Sequence, residues 1–255
     1  MKTGKWIIAF LVLLVLILAY GVFHFRFEQY RTGVLARLDP LEVQKAKEPV
    51  PDQNGGCWII GDSRAWHWDK TLLMEKGSGI SNLGARGQSS RQVLERFRND
   101  LEISKPDLVI IQVGINDLKC IGLSPDRNIA KNCSRNIIEI LSTCEEHGIE
   151  AVYTTIFPVG RPGLARKLVW EKSTEGSIVT VNREIEEFCR QRGFGFFDAH
   201  HLLLNEEGTG IDPAWERDFL HLNEAAYVFL SEELRNTGWL PSIPDPLREE
   251  IPLQN

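Results

Sequence analysis

Four short polar clusters hold the residue types that acyl chemistry requires. Ser63 follows Gly61 and Asp62, and a turn with two glycines spans Gly84-Ala-Arg-Gly87. Asn116 comes two residues after Gly114, and Asp218 stands three residues before His221. A serine hydroxyl is a weak nucleophile and needs an adjacent base. His221 can be that base, and Asp218 can orient the imidazole and stabilise its cation. The tetrahedral intermediate of acyl transfer carries an oxyanion, which needs donors already aimed at it. The backbone amides of Ser63 and of the glycine turn, with the Asn116 side-chain amide, are such donors. Each cluster also has a plainer reading, since Asp62 or Ser63 can simply cap the next helix.

The elements around the clusters must bring them together. Cys57-Trp-Ile-Ile60 is a continuous apolar run, the pattern of a strand covered on both faces, and it ends at Gly61. Similar strands are expected over 79–83, 106–114, 149–156 and 193–198. Helical stripes separate them: Val93, Leu94, Phe97 and Leu101 after a cap at Ser89 or Ser90, and Cys133, Ile137, Leu141 and Cys144 before a His147-Gly148 stop. A further helix is expected from Arg64 to Met74, one through Ile178, Val181, Ile185 and Phe188, and a last one from Asn223. Alternation of this kind implies a parallel sheet with helices on both faces and right-handed crossovers. Ligands then bind at the carboxyl edge, where Ser63, the Gly84–Gly87 turn, Asn116 and the Asp218/His221 pair all fall.

Other polar residues at that edge are candidates for substrate contact. Arg64 adjoins the serine. Trp66, His67 and Trp68 either line a cleft or pack on the sheet. The connection from Phe157 to about Gly176, with Arg161, Arg166 and Trp170, reads as a lid or binding loop; the alternative is a solvated basic loop. Arg64, Trp66, Arg161 and Trp170 are taken as its binding residues. His200-His201 read as a packed or solvated loop, because adjacent histidines do not readily face one metal. No metal or cofactor is expected.

The chain of 255 residues has an ordinary globular balance, 43% hydrophobic and 25% charged, with a net charge of −6. No basic bias points to nucleic acid. The five cysteines form no Cys-x-x-Cys pair, which removes zinc-ribbon and thioredoxin-type readings. Four of them fall on apolar faces; Cys120 falls in a loop and can bridge to Cys133 if the domain is extracytoplasmic. Residues 6–23 are uncharged and follow Lys2 and Lys5, a run of about the length that crosses a bilayer. A signal anchor suits this run better than a cleaved signal peptide, because Ala19-Tyr-Gly21 is a poor cleavage site. Lys2 and Lys5 favour a cytoplasmic amino terminus, and Arg26, Arg31 and Arg37 oppose it. The expected organisation is a transmembrane anchor over 1–25, a stalk over 26–56 with a partly amphipathic helix to about 47, a catalytic domain over 57–240 and a proline-rich extended tail over 241–255.

The four clusters together resemble the SGNH hydrolases, the GDSL-type esterases. The resemblance rests on Gly61-Asp-Ser63, Asn82-Leu-Gly-Ala-Arg-Gly87-Gln-Ser, Gly114-Ile-Asn116-Asp117 and Asp218-Phe-Leu-His221, in that order over about residues 57–237. It implies a flavodoxin-like three-layer α/β/α sandwich with a five-stranded parallel sheet, and a metal-independent serine esterase. It makes Ser63, His221 and Asp218 the catalytic triad. Counting from Asn82, it assigns the oxyanion hole to Ser63, Gly87 and Asn116, leaving Gly84 as a turn residue. Arg64 stands where many members have leucine. The expected reaction is hydrolysis of a carboxylic ester, such as an acetyl ester on a carbohydrate, by a membrane-tethered domain outside the cytoplasm. Acyl transfer to a polysaccharide hydroxyl is the alternative, and a membrane-tethered binding protein without activity ranks below it. A metallophosphoesterase is disfavoured because Asp117, not histidine, follows Asn116.

Overall fold

A computed structural model describes residues 2–40, 45–74, 79–167 and 170–240; the expected tail over 241–255 lies outside them. In chain order the elements are α1 (Lys2–Leu35), β1 (Cys57–Gly61), α2 (Ser63–His67), β2 (Ile80–Gly84), α3 (Ser90–Leu101), β3 (Leu108–Gln112), α4 (Ile115–Leu118) and α5 (Ile129–His147). They continue with β4 (Glu150–Thr154), α6 (Leu164–Lys167), α7 (Ser173–Arg192), β5 (Gly195–Phe197), α8 (Ala199–Leu202), β6 (Glu216–Asp218), β7 (His221–Leu222) and α9 (Glu224–Asn236). The chain divides into two compact units, Met1–Ala36 and Arg37–Asn255.

The first unit is one unbroken helix. α1 continues past the expected boundary at residue 25 to Leu35, so the stalk begins inside the helix. Gly4–Leu38 is long and apolar enough to cross a membrane, with a mean hydropathy of 2.9 in its most apolar stretch.

The second unit is a three-layer sandwich. Its five strands are parallel in the order β2-β1-β3-β4-β5. Every residue of β1 and β3 is buried, as a central strand covered on both sides must be. Alternate residues face opposite layers. Trp58 and Ile60 join a core with Phe97 of α3, Ile137 of α5 and Ile185 of α7, while Cys57 and Ile59 join one with Trp68 and with Tyr227 and Leu230 of α9. The chain leaves β1 towards β2 on one side and returns to β3 on the other. The crevice beyond the carboxyl ends of β1 and β3 is therefore the topological switch point.

Two stretches depart from expectation. The segment from Lys45 to Gly56 is not a free linker: Lys47 N–H and Glu48 N–H donate to the carbonyls of Gly84 and Asn82, along the edge of β2. The helix expected from Arg64 to Met74 stops at His67, followed by a 3-10 turn at Lys70–Leu72. Trp68 turns into the core, where its indole N–H donates to Ser231 Oγ at 2.8 Å.

Candidate functional site

Ser63 opens α2 directly after β1. Gly61 makes this turn possible: its φ is +146°, and a Cβ there would overlap the Gln112 carbonyl of β3. Asp62 caps α2 by accepting the Arg64 N–H at 2.8 Å. Ser63 is thus the first residue of the helix, where the backbone N–H has no intrahelical acceptor. Asn82 secures the other end of α2, its Nδ2 donating to the carbonyls of Ala65 and Trp68 at 2.9 and 2.7 Å. Gly84 lets α2 lie against β2, since a Cβ there would come within 2.5 Å of Trp66 N.

His221 meets the serine from the far end of the chain. Its Nε2 lies 3.1 Å from Ser63 Oγ, and its Nδ1 lies 2.9 Å from each carboxylate oxygen of Asp218. β6 and β7 form a small antiparallel pair whose turn carries Asp218 to His221. Asp218 Oδ1 also accepts the N–H groups of Leu220 and His221, so its orientation is held by backbone. Burial raises the Asp218 pKa, but these hydrogen bonds and His221 outweigh it and hold the carboxyl below its usual range. Burial lowers the His221 pKa, and Asp218 offsets only part of that. The balance favours the neutral imidazole, the state a base requires.

Asn116 stands on α4, beyond β3, on the same cleft as Ser63 and His221. Its amide orientation is set by its neighbours: Lys119 Nζ donates to Oδ1 at 2.6 Å, and Nδ2 donates to the Gln88 carbonyl at 2.9 Å. One Nδ2 hydrogen remains for another acceptor. Asp117 ties α4 to the start of α3, accepting Ser90 N–H at 2.8 Å and Ser90 Oγ–H at 2.6 Å. That fixes the distance between Asn116 and the glycine turn. Gly87 in this turn has φ +77°, and a Cβ there would meet the Arg37 guanidinium at 2.6 Å. Gly84 and Gly87 thus serve different needs, close packing and a left-handed backbone. Among the described residues, no group of three or more His, Cys, Asp or Glu is arranged to hold a metal ion.

The cleft has a volume of about 500 Å³ and brings together Ser63, Gly87, Asn116, Asp218 and His221. It does not take in the four expected binding residues, and three of them have other work. Arg64 is fully buried; its guanidinium donates to the carbonyls of Leu220, Phe157 and Pro158 at 2.8–3.0 Å. It binds the His221 turn to the sheet and touches no solvent. Trp66 is half-buried beneath Arg86, whose guanidinium lies 5.0 Å from the ring centre. Trp170 packs edge-on against Phe219 at 4.6 Å, and Arg166 covers the same ring. Gly160 N–H donates to the Phe219 carbonyl at 2.8 Å. The long connection thus braces the Asp218–His221 turn from behind, and Arg161 faces a separate depression beside Glu206, Asp212 and Glu216. Cys120 is buried like the other four cysteines, and all five are free, so there is no Cys120–Cys133 bridge.

Sequence reasoning missed Lys119, Arg86 and Arg217, all of which line the cleft. Spacing carried a signal for two of them. Lys119 is three residues after Asn116, on one helix face, and Arg86 lies inside the glycine turn. His67, noted only as a cleft candidate, does line the cleft, with its ring edge-on to His221 at 5.6 Å.

The family of GDSL-like lipases and acylhydrolases matches residues 55–228, which include every one of these side chains except Arg37. The chain belongs to this family. Solved structures agree on the fold of this acylhydrolase domain. A GDSL-like lipase from Bacteroides thetaiotaomicron is 20% identical with a TM-score of 0.61, covering 83% of this chain and 96% of that one. An acetylxylan esterase from Geobacillus stearothermophilus, solved as a catalytic mutant, is 17% identical with a TM-score of 0.54, covering 77% and 99%. An uncharacterized lipoprotein, YqeF, from Bacillus subtilis is 27% identical over 108 residues, 41% of this chain. That match spans 44% of the lipoprotein's length.

Proposed function

We propose that this acylhydrolase cleaves a small acyl ester, such as an acetyl group on a carbohydrate hydroxyl, with Ser63 as nucleophile. Ser63 Oγ attacks the acyl carbon as its proton passes to His221 Nε2. The carbonyl π pair moves to oxygen, and the oxyanion is received by the N–H groups of Ser63 and Gly87 and by Asn116 Nδ2. Asp218 keeps Nδ1 protonated and stabilises the imidazolium. Collapse breaks the ester C–O bond, and His221 returns the proton to the departing alkoxide. Water then repeats the sequence on the acyl-serine and releases the acid. The observation that carries this reading is the unbroken path from Ser63 Oγ through both His221 nitrogens to Asp218, at 3.1 and 2.9 Å. Likeness to an acetylxylan esterase supports the choice of a small acyl group on a sugar. The apolar α1 supports a membrane tether; the extracytoplasmic side is proposed because the proposed substrate class lies there.

The test is labelling by a fluorescent organophosphonate together with hydrolysis of a chromogenic acetate, using the full chain in detergent. Wild type is expected to do both and Ser63→Ala neither. Equal labelling of Ser63→Ala, or an unlabelled wild type, removes the nucleophile. Acetyl transfer to an added sugar with negligible release of acetate replaces water as the acceptor.

A further inference from the structure

The cleft beside Ser63 is cationic, although the whole chain carries a net charge of −6. Arg86, Lys119 and Arg217 line it, and Asp218 is its one carboxylate among the described residues. That carboxylate is already engaged by His221, and Arg217 Nε reaches it only at 3.8 Å. Arg217 otherwise lies against the His67 ring nitrogens at 3.3–3.5 Å. Lys119 spends one of its three donors on Asn116 Oδ1. Arg86 rests on the face of Trp66, an arrangement that leaves its N–H edges available. Two carboxyls, Asp62 and Asp117, lie buried behind it, but neither lines the cleft, and each is already engaged, Asp62 by the Arg64 N–H and Asp117 by Ser90. His67 is held neutral, its pKa lowered to about 4 by burial first and then by Arg217, His221 and Arg86.

A neutral sugar site offers exposed aromatic faces and carboxylate acceptors. This cleft has withdrawn both. Trp66 is covered by Arg86, while Trp68 and Trp170 are buried. What remains is three cations in a space of about 500 Å³, an arrangement an anion relieves. We infer that the ester this cleft receives carries an anionic group, a carboxylate or a phosphate, on the sugar next to the acylated hydroxyl. The inference rests on the esterase reading and narrows its substrate class.

The test uses the full chain in detergent and three matched substrates: methyl 4-O-acetyl glucoside, methyl 4-O-acetyl glucuronoside and methyl 4-O-acetyl glucoside 6-phosphate. At least one charged substrate is expected to exceed the neutral one in kcat/KM by about tenfold, the equivalent of about 1.4 kcal/mol. Which one wins assigns carboxylate or phosphate. Raising salt from about 0.02 M to about 0.5 M should shrink the ratio, because screening acts on the charged substrate alone. Arg86→Gln, a change on an exposed side chain, should bring the ratio down about threefold or more. A wild-type ratio near one, or a ratio that Arg86→Gln leaves intact, overturns the inference while Ser63-dependent hydrolysis of the neutral ester keeps the esterase reading. Hydrolysis that survives Ser63→Ala overturns both.

Discussion

The residue that most changes its meaning between sequence and structure is Arg64. Beside the serine it looks like a substrate contact, yet its three hydrogen bonds go to main-chain carbonyls, two buried and one, on Leu220, half-buried. Leu220 immediately precedes His221. Arg64→Met leaves three acceptors unpaired, and each orphaned buried acceptor costs about 1–3 kcal/mol. With two of them buried, the expected loss is at least about 2 kcal/mol in urea unfolding, together with a fall in kcat. Arg64→Lys should recover only part, because one ammonium does not match the spread of a planar guanidinium; a lysine variant equal to wild type overturns this role. His221 supplies a second prediction. Its pKa lies below the usual 6.5, burial dominating and Asp218 pulling the other way. The acid limb of kcat/KM should therefore lie below pH 6.5, with activity lost as pH falls through it and the imidazole gains a proton. Asp218→Asn removes the group that favours the cation, so the limb should move to still lower pH while kcat drops by orders of magnitude. A limb that moves upward contradicts the assignment.

At the scale of elements, two turns set the site. Between β1 and α2, Gly61 passes so close to β3 that no side chain fits. Gly61→Ala should displace Ser63 relative to His221, and a shift of about 1 Å can cost about a hundredfold in rate. Probe-labelling kinetics beside an unchanged far-UV spectrum would show it. Between α3 and α4, Asp117 clamps Ser90. Asp117→Ala orphans a buried N–H and hydroxyl, and should lower both the denaturation midpoint and kcat by loosening Asn116 from the Gly87 turn. The core strands were readable because four or more consecutive apolar residues bounded by glycine or proline have few other uses. A cap at Ser89 or Ser90 and the Gly148 helix stop were readable for the same kind of local reason, and the structure chooses Ser89, with Gln92 completing a capping box. The β6–β7 pair was not, since strands of three and two residues carry no periodicity. Nor was the early end of α2, where Asn82 and the burial of Trp68 override helical propensity.

For the whole molecule, α1 is the element that bears on location. Its apolar stretch is long and apolar enough to cross a membrane. Alkaline carbonate should leave wild type in the membrane pellet. The double change Leu13→Arg and Leu16→Arg, at about 2.5–3.5 kcal/mol per mid-membrane arginine, should release it to the soluble fraction. Retention of the double variant would show that something other than α1 holds it. Fold class, sheet edge and the order Ser63, Gly87, Asn116, Asp218, His221 could all be read without coordinates. The sheet and its edge depend on local periodicity, while the choice of Gly87 depends on the resemblance to the SGNH pattern, counted from Asn82. The division of labour around the serine could not. Arg64 turns inward to carbonyls 93 to 156 residues away, the 157–176 connection braces Phe219 instead of covering the cleft, and Lys119 and Arg86 bring charge to the opening. Those outcomes depend on which distant backbone arrives beside each side chain, and the closing of the sheet sets that, not the residues on either side.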